Sequence, residues 1–457
     1  MSSVTELRAK HPRLIYQAAE VSWQTEKVVL TFSYLLEPDI PLSTTLELAL
    51  PPQAEFTEVQ KKQVGAWAFQ LGMVEMLSYW KLACPAEITI EAGYLDQKQI
   101  AFWDKLLKKG LSEFFFVNKI DGWQKGFVKI VVLAEKSDTT LDLVEHHAPA
   151  LVGIGGGKDS VVAVATLQKS NLPFTPFVIH GSPPIERVLS VMESKQTWRI
   201  ERKLDPRINE LNKAGYLNGH TPFSAMAAFT SVLQAFLVDS SAVIVSNEWS
   251  ANEGNTVFLG QMINHQYSKS VEFEFAFRDY CRQYFSETIQ YFSLLRPWHE
   301  LQIGHAFAQL SEYHFSFLSC NRGQQKGEWC GECPKCLFTW IILSPFLPLA
   351  RLEKIFGQNL WSKASLIPIL EELTGITEAK SLECVGTRAE SKMALALTLH
   401  DWPDQPLPVL LQHARQHFAS ELPLLRTQAA ELLQSWQTPH ALPEIYERAL
   451  RRGWSNT

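Results

Sequence analysis

Gly155-Gly156-Gly157-Lys158-Asp159-Ser160 follows the apolar run 150–154 and opens a helical pattern over 159–168. Three glycines let backbone N–H groups approach an anion with no Cβ in the way, and the helix start adds partial positive charge, so the turn suits phosphate. It lacks the spacer and the Gly-Lys-Ser/Thr ending of a Walker loop, and it is not a Gly-x-Gly-x-x-Gly dinucleotide turn. A second polar concentration follows the run 242–246: Asn247-Glu248-Trp249-Ser250-Ala251-Asn252-Glu253-Gly254-Asn255, then Asn264-His265-Gln266-Tyr267-Ser268-Lys269-Ser270. Carboxylates there can hold Mg2+ and amides can orient a nucleotide or peptide, a solvated turn-rich loop being the alternative for any single residue. Cys320, Cys330, Cys333 and Cys336 are spaced C-x9-C-x2-C-x2-C. Four such thiolates can close a tetrahedral Zn2+ site, with an iron–sulfur cluster or unligated thiols as alternatives.

These residues need a sheet to hold them. From about residue 149, short apolar runs (150–154, 174–179, 242–246) alternate with helical patterns (159–168, 223–237), which predicts βαβ crossovers and a parallel sheet buried on both faces. Ligands bind beyond the carboxyl ends of such strands, where both polar loops would sit. The expected organisation is an N-terminal α+β recognition unit over 1–145, a catalytic α/β unit with the cysteine knuckle over 146–347, and a helical C-terminal region over 348–457. In the first unit an alternating strand is predicted at 27–36 and a long helix at 56–82, with Trp67, Trp80, Phe102, Trp103, Phe114, Phe115 and Phe116 as core.

Composition narrows the partners. At 46% hydrophobic and 20% charged the chain reads as globular throughout, and a formal net charge of −6 leaves no basic excess for a nucleic acid, so none is expected. The first residues lack the apolar core of a secretory signal, and the longest apolar stretch, 337–350, is short and broken by Pro345 and Pro348. No membrane span and a cytoplasmic location are therefore expected. An odd count of seven cysteines argues against a disulfide framework, and Cys84 and Cys281 read as ordinary buried thiols.

The glycine turn resembles the Ser-Gly-Gly-x-Asp-Ser loop of PP-loop ATP-pyrophosphatases, with Gly155 where most members have Ser. By position, the resemblance implies that Gly156 and Gly157 cradle the pyrophosphate of ATP, Ser160 donates to it and Asp159 helps hold Mg2+. Together with the two Asn-rich runs, Leu77-Ser78-Tyr79-Trp80-Lys81-Leu82-Ala83-Cys84-Pro85 and Cys384-Val385-Gly386-Thr387, it is similar to the UDP-N-acetylmuramoyl-L-alanyl-L-glutamate epimerase family over most of the chain. The implied α/β fold is a central parallel-sheet adenine-nucleotide alpha-hydrolase (PP-loop) domain. The cysteine spacing resembles the zinc knuckle of the queuosine-pathway nitrile synthase, so a structural Zn2+ is expected.

That family resemblance implies ATP-dependent epimerisation of the terminal L-Glu of UDP-MurNAc-L-Ala-L-Glu for peptidoglycan synthesis, and a link to the ligase that adds this L-Glu. Removing a Cα proton beside an ionised carboxylate would create a dianion, whereas an acyl-adenylate yields only an enolate-like anion. His265, Lys269, Tyr267 and Cys384 are the candidates for the Cα acid and base, and Lys158 and Asp159 serve the loop. Asn247, Glu248, Asn252 and Glu253 would meet the nucleotide, and His180 would flank the adenine or merely pack. Competing readings are another PP-loop adenylating enzyme, forming a nitrile or thiolating tRNA, and a nucleotide binder without turnover. The two Asn-rich runs are foreign to the first, and the charge balance lacks the basic face a tRNA thiolase needs.

Overall fold

In the computed structural model of the protein, residues 3–136, 145–378 and 380–454 are described. The strands are β1 (Arg13–Trp23), β2 (Lys27–Leu36), β3 (Ile40–Ala49), β4 (Glu87–Ile90), β5 (Lys129–Val132), β6 (Ala150–Gly153), β7 (Phe174–Ile179), β8 (Trp198–Leu204), β9 (Ala242–Val245), β10 (Thr256–Phe258), β11 (Gln261–Ile263) and β12 (Gln290–Ser293). Ten of them form one mixed sheet in the order β12-β9-β6-β7-β8-β3-β2-β1-β4-β5, and β10 and β11 form a separate hairpin. The five strands from β12 to β8 are parallel. In their own chain order they run 5-4-1-2-3, a doubly wound arrangement whose topological switch point lies between β6 and β9.

Side-chain alternation divides the interior into two cores. Leu151 of β6 and Val243 of β9 face the core that contains helix Phe223–Leu237, whereas Val152 and Ile244 face the core that contains helix Lys158–Lys169. Both faces are covered, which is why these strands read as continuous apolar runs. β8 joins the halves: it pairs parallel with β7 and antiparallel with β3. The boundary expected near residue 145 thus falls between β5 and β6 of a single sheet.

Alternate residues of β2 are buried beneath helix Glu58–Trp80, whose start is fixed by a capping box between Thr57 and Gln60. Trp67, Trp80, Trp103, Phe114 and Phe115 are buried in this core, while Phe102 and Phe116 are half-buried at its margin. The opposite core is completed by the helices from Pro334–Leu343 to Glu444–Gly453. Leu337, Trp340 and Ile341 are fully buried there, so the long apolar stretch is an interior helix and its exit. Among the described residues no helix is long and apolar enough to cross a membrane.

Candidate active site

β6 runs into the glycine turn, and helix Lys158–Lys169 begins at N-cap Gly157 with no side-chain cap. Its first amides are therefore left for an incoming anion. Gly156 has φ +79°, and a Cβ there would lie 3.0 Å from the Ile185 amide nitrogen. Its carbonyl accepts from Leu318 N at 2.8 Å, which ties the turn to the segment leading into the cysteines. Across the switch point β9 delivers Ser246 and Asn247. The cleft between them, about 250 Å³, is walled by Gly155, Gly157, Asp159, Ser160, Asn247 and Lys269, with Cys320 and Lys335 opposite.

Asp159, Glu248 and Glu300 each bring an oxygen within 4.8 Å of the others, an arrangement that could hold a divalent cation. Burial pushes the Glu300 carboxyl up to about 8; Lys158 pulls it down, while Asp159 and Glu248 push it further up. Burial likewise raises Glu248. Lys158 is only 3% exposed and bonds Asp159 at 2.5 Å and also Glu300. It braces the carboxylates and is absent from the cleft wall.

The Asn-rich runs bond each other and the segment 380–388. Asn252 donates to Trp249 O at 2.8 Å and accepts from Val271 N at 2.8 Å. Asn255 donates to Ser381 O at 2.7 Å and accepts from His265 N at 2.8 Å, and Asn264 donates to Ala251 O at 3.1 Å. Gln266 donates to Val385 O at 3.1 Å, while Glu253 pairs with Lys380 at 3.0 Å and accepts from Arg388 N at 3.2 Å. Of the residues expected to meet a nucleotide, Asn252 and Glu253 are engaged in this scaffold, and Asn247 lines the cleft.

The scaffold sets Cys384 beside His265 and Lys269. Burial alone would raise the Cys384 thiol, but Lys269 and a hydrogen bond with His265 bring it down to about 5. Burial likewise opposes the charge on His265, which bonds to Cys384 and Glu113 nonetheless raise to about 9. Each group thus favours the charged form of the other. Lys269 stays charged despite its burial because Cys384, Glu248 and Asp159 surround it.

Two predicted residues are not brought here. Tyr267 is 6% exposed, with its ring 6.2 Å from that of Phe273, and burial raises its phenol far above the ordinary value. His180 lies on the surface at the end of β7, paired with Glu201 at 3.3 Å and outside the cleft wall. Arg296 and Glu300, which nothing in the local pattern marks, prove central. Fully buried Arg296 donates to Glu274 at 2.9 Å, to Glu248 O at 2.6 Å and to Lys269 O at 2.5 Å, fixing both walls of the cleft. Its position just past the end of β12 was the available signal.

In the segment that follows Leu318, sulfur separations are 3.5 Å for Cys333–Cys336, 3.7 Å for Cys330–Cys336 and 3.9 Å for Cys320–Cys333. Thiolates around one ion at Zn–S distances near 2.3 Å stand about 3.8 Å apart, while a disulfide needs about 2.05 Å. The four cysteines could therefore coordinate a metal.

An uncapped helix start at a glycine turn and a charged lysine share one cleft, with a thiol and an imidazole next to that lysine, a constellation suited to acid–base chemistry on an anionic substrate. Sequence models of the MurL N-terminal domain and the MurL C-terminal domain match residues 6–294 and 316–425. A Xanthomonas oryzae pv. oryzae protein named UDP-N-acetyl-alpha-D-muramoyl-L-alanyl-L-glutamate epimerase is 36% identical over 333 residues, covering 72% of this chain and 73% of that protein. A Micromonospora protein of the same name is 33% identical over 431 residues, covering 92% and 94%. The chain belongs to the MurL family of UDP-N-acetylmuramoyl-L-alanyl-L-glutamate epimerases.

Proposed function

We propose that this chain uses ATP to convert the terminal L-Glu of UDP-MurNAc-L-Ala-L-Glu into D-Glu during peptidoglycan precursor synthesis. Family membership supports the substrate and the outcome. The observation that carries the chemistry is the Cys384–His265–Lys269 group, whose Lys269 lines the cleft shared with the glycine turn. The fold is read as the PP-loop adenine-nucleotide type, with 1–145 as recognition unit.

The α-carboxylate of the substrate glutamate attacks the α-phosphorus of ATP, pyrophosphate leaves and an acyl-adenylate forms. Gly156, Gly157 and the helix amides would hold the leaving pyrophosphate. Asp159, with Glu248 and Glu300 behind it, would hold Mg2+, which when bound offsets phosphate charge. With the carboxylate masked, the Cys384 thiolate removes the Cα proton and charged Lys269 stabilises the enolate oxygen. Solvent water gives a proton to the opposite face, Cys384 returns its proton to solvent, and water hydrolyses the adenylate to release the D-epimer and AMP. The four cysteines would hold a structural Zn2+ that stiffens the segment bonded to Gly156.

The test is incubation with ATP, Mg2+ and UDP-MurNAc-L-Ala-L-Glu in deuterated water. AMP together with D-Glu deuterated at Cα is expected. AMP without Cα deuterium would overturn the epimerase and leave an adenylating enzyme, and neither signal would overturn both.

A further inference from the structure

We propose that Glu113, supplied by the N-terminal half of the chain, is a positioning residue of this site that bonds His265 and holds its imidazole towards Cys384. The inference rests on the acid–base reading of Cys384 above. Glu113 sits on helix Ser112–Val117, far from the loops in sequence, yet its carboxylate bonds His265 Nδ1 directly. With Nδ1 so engaged, Nε2 is the nitrogen available to the thiol. This is the order of parts that activates a nucleophile or base elsewhere: reactive group, imidazole, and a third group that orients the imidazole.

The surroundings support a dedicated role. Side-chain exposure is 14% for Glu113 and 12% for His265, so the pair is sheltered and its attraction is weakly screened. A second imidazole, His220, lies 3.8 Å from the same Glu113 oxygen, its ring centre 4.4 Å from that of His265. Burial and the neighbouring His265 charge bring His220 down to about 4, so it is neutral and leaves the carboxylate to one cation. The groups facing Cys384 are Lys269, His265, Lys335 and Glu383; those facing His265 are Cys384, Glu113, His220 and Glu383, with Lys81 behind His220. Among the described residues only Glu113 offers the imidazole a directly bonded carboxylate. Removing its charge should lower the proton affinity of His265 and raise that of Cys384 together, because each holds the other.

Alkylation by iodoacetamide reads the thiolate without requiring turnover. In the full-length protein the rate at Cys384, followed by peptide mass spectrometry across pH, should rise with a midpoint of about 5. Glu113→Gln, which keeps the shape and removes the charge, should move that midpoint upward by about 1 to 3 pH units. Glu113→Asp, which restores a carboxylate one methylene short, should move it by less, with melting temperatures monitoring the fold of both. Midpoints equal to wild type in both variants would overturn the proposal, as would a wild-type midpoint at an ordinary thiol value. Failure of the deuterium assay with these alkylation shifts intact would strike the epimerase reading alone.

Discussion

Replacing Arg296 by Met should cost about 3–5 kcal/mol of stability, the range for breaking one side of a buried ion pair. Side-chain exposure is 0% for Arg296 and 2% for Glu274, so no water waits to solvate the carboxylate left behind. Met matches the aliphatic stem but makes none of the three charge-assisted bonds, to Glu274, Glu248 O and Lys269 O. At about 1.5–3 kcal/mol each these would sum higher, but the loops relax once released, so the pair-breaking range is the better guide. Glu274 would keep one donor, Ser293 N at 3.1 Å. The assay is urea unfolding followed by tryptophan fluorescence for Arg296→Met, Glu274→Gln and the double variant. The double variant should recover at least half of the loss, because no buried charge then lacks a partner. A single-variant cost below about 1 kcal/mol, or a double variant equal to the sum of the singles, would refute the reasoning. Cα exchange should also fall in folded Arg296→Met, since Glu248 and Lys269 lose their common anchor.

Cys384→Ser should retain AMP release while Cα deuteration falls by about 10²–10⁴-fold; equal loss of both would assign the thiol to adenylation instead. Cys333→Ser should drop bound metal, measured by plasma emission, from one ion per chain towards none, and wild-type metal content in that variant would overturn the four-cysteine site. Gly156→Ala places a Cβ 3.0 Å from Ile185 N at φ +79°, and the resulting strain of about 1–3 kcal/mol should slow AMP release by about tenfold or more. An unchanged AMP rate would show that the turn does not hold the leaving pyrophosphate.

What is legible in the sequence is what is local. The glycine turn works through its own backbone, and strands β6, β7 and β9 end within a residue of their expected limits because burial on both faces leaves an apolar run. β8 leaves no such run: within Trp198–Leu204 only Ile200 is fully buried, and the strand is held by pairing with β3 and by the Arg202–Glu75 pair at 2.7 Å. Asn252, Asn255 and Asn264 were legible as a polar concentration near the site, but an amide does not announce its partner, and here the partners are neighbouring loops. Lys158, legible as part of the loop, answers to Glu300, a residue 142 positions away. Glu113 and Arg296 are single charged residues in unremarkable segments, and only folding across long separations gives them meaning.

The β3–β8 pairing also bears on how the chain is made. β3 leaves the ribosome with an unpaired edge and meets its partner only after residues 50–197 have been added. At about 5–20 residues per second that interval lasts roughly 7–30 s, during which the edge can recruit another nascent chain. Glu47 on β3 already pairs with Lys27 on β2 at 2.6 Å and gains Lys203 on β8 at 2.8 Å in the finished sheet, so a carboxylate stands on the open edge until β8 arrives. A charge on an open edge strand is one of the devices that blunt edge-to-edge pairing, and here it stands through the interval in which β3 has no partner.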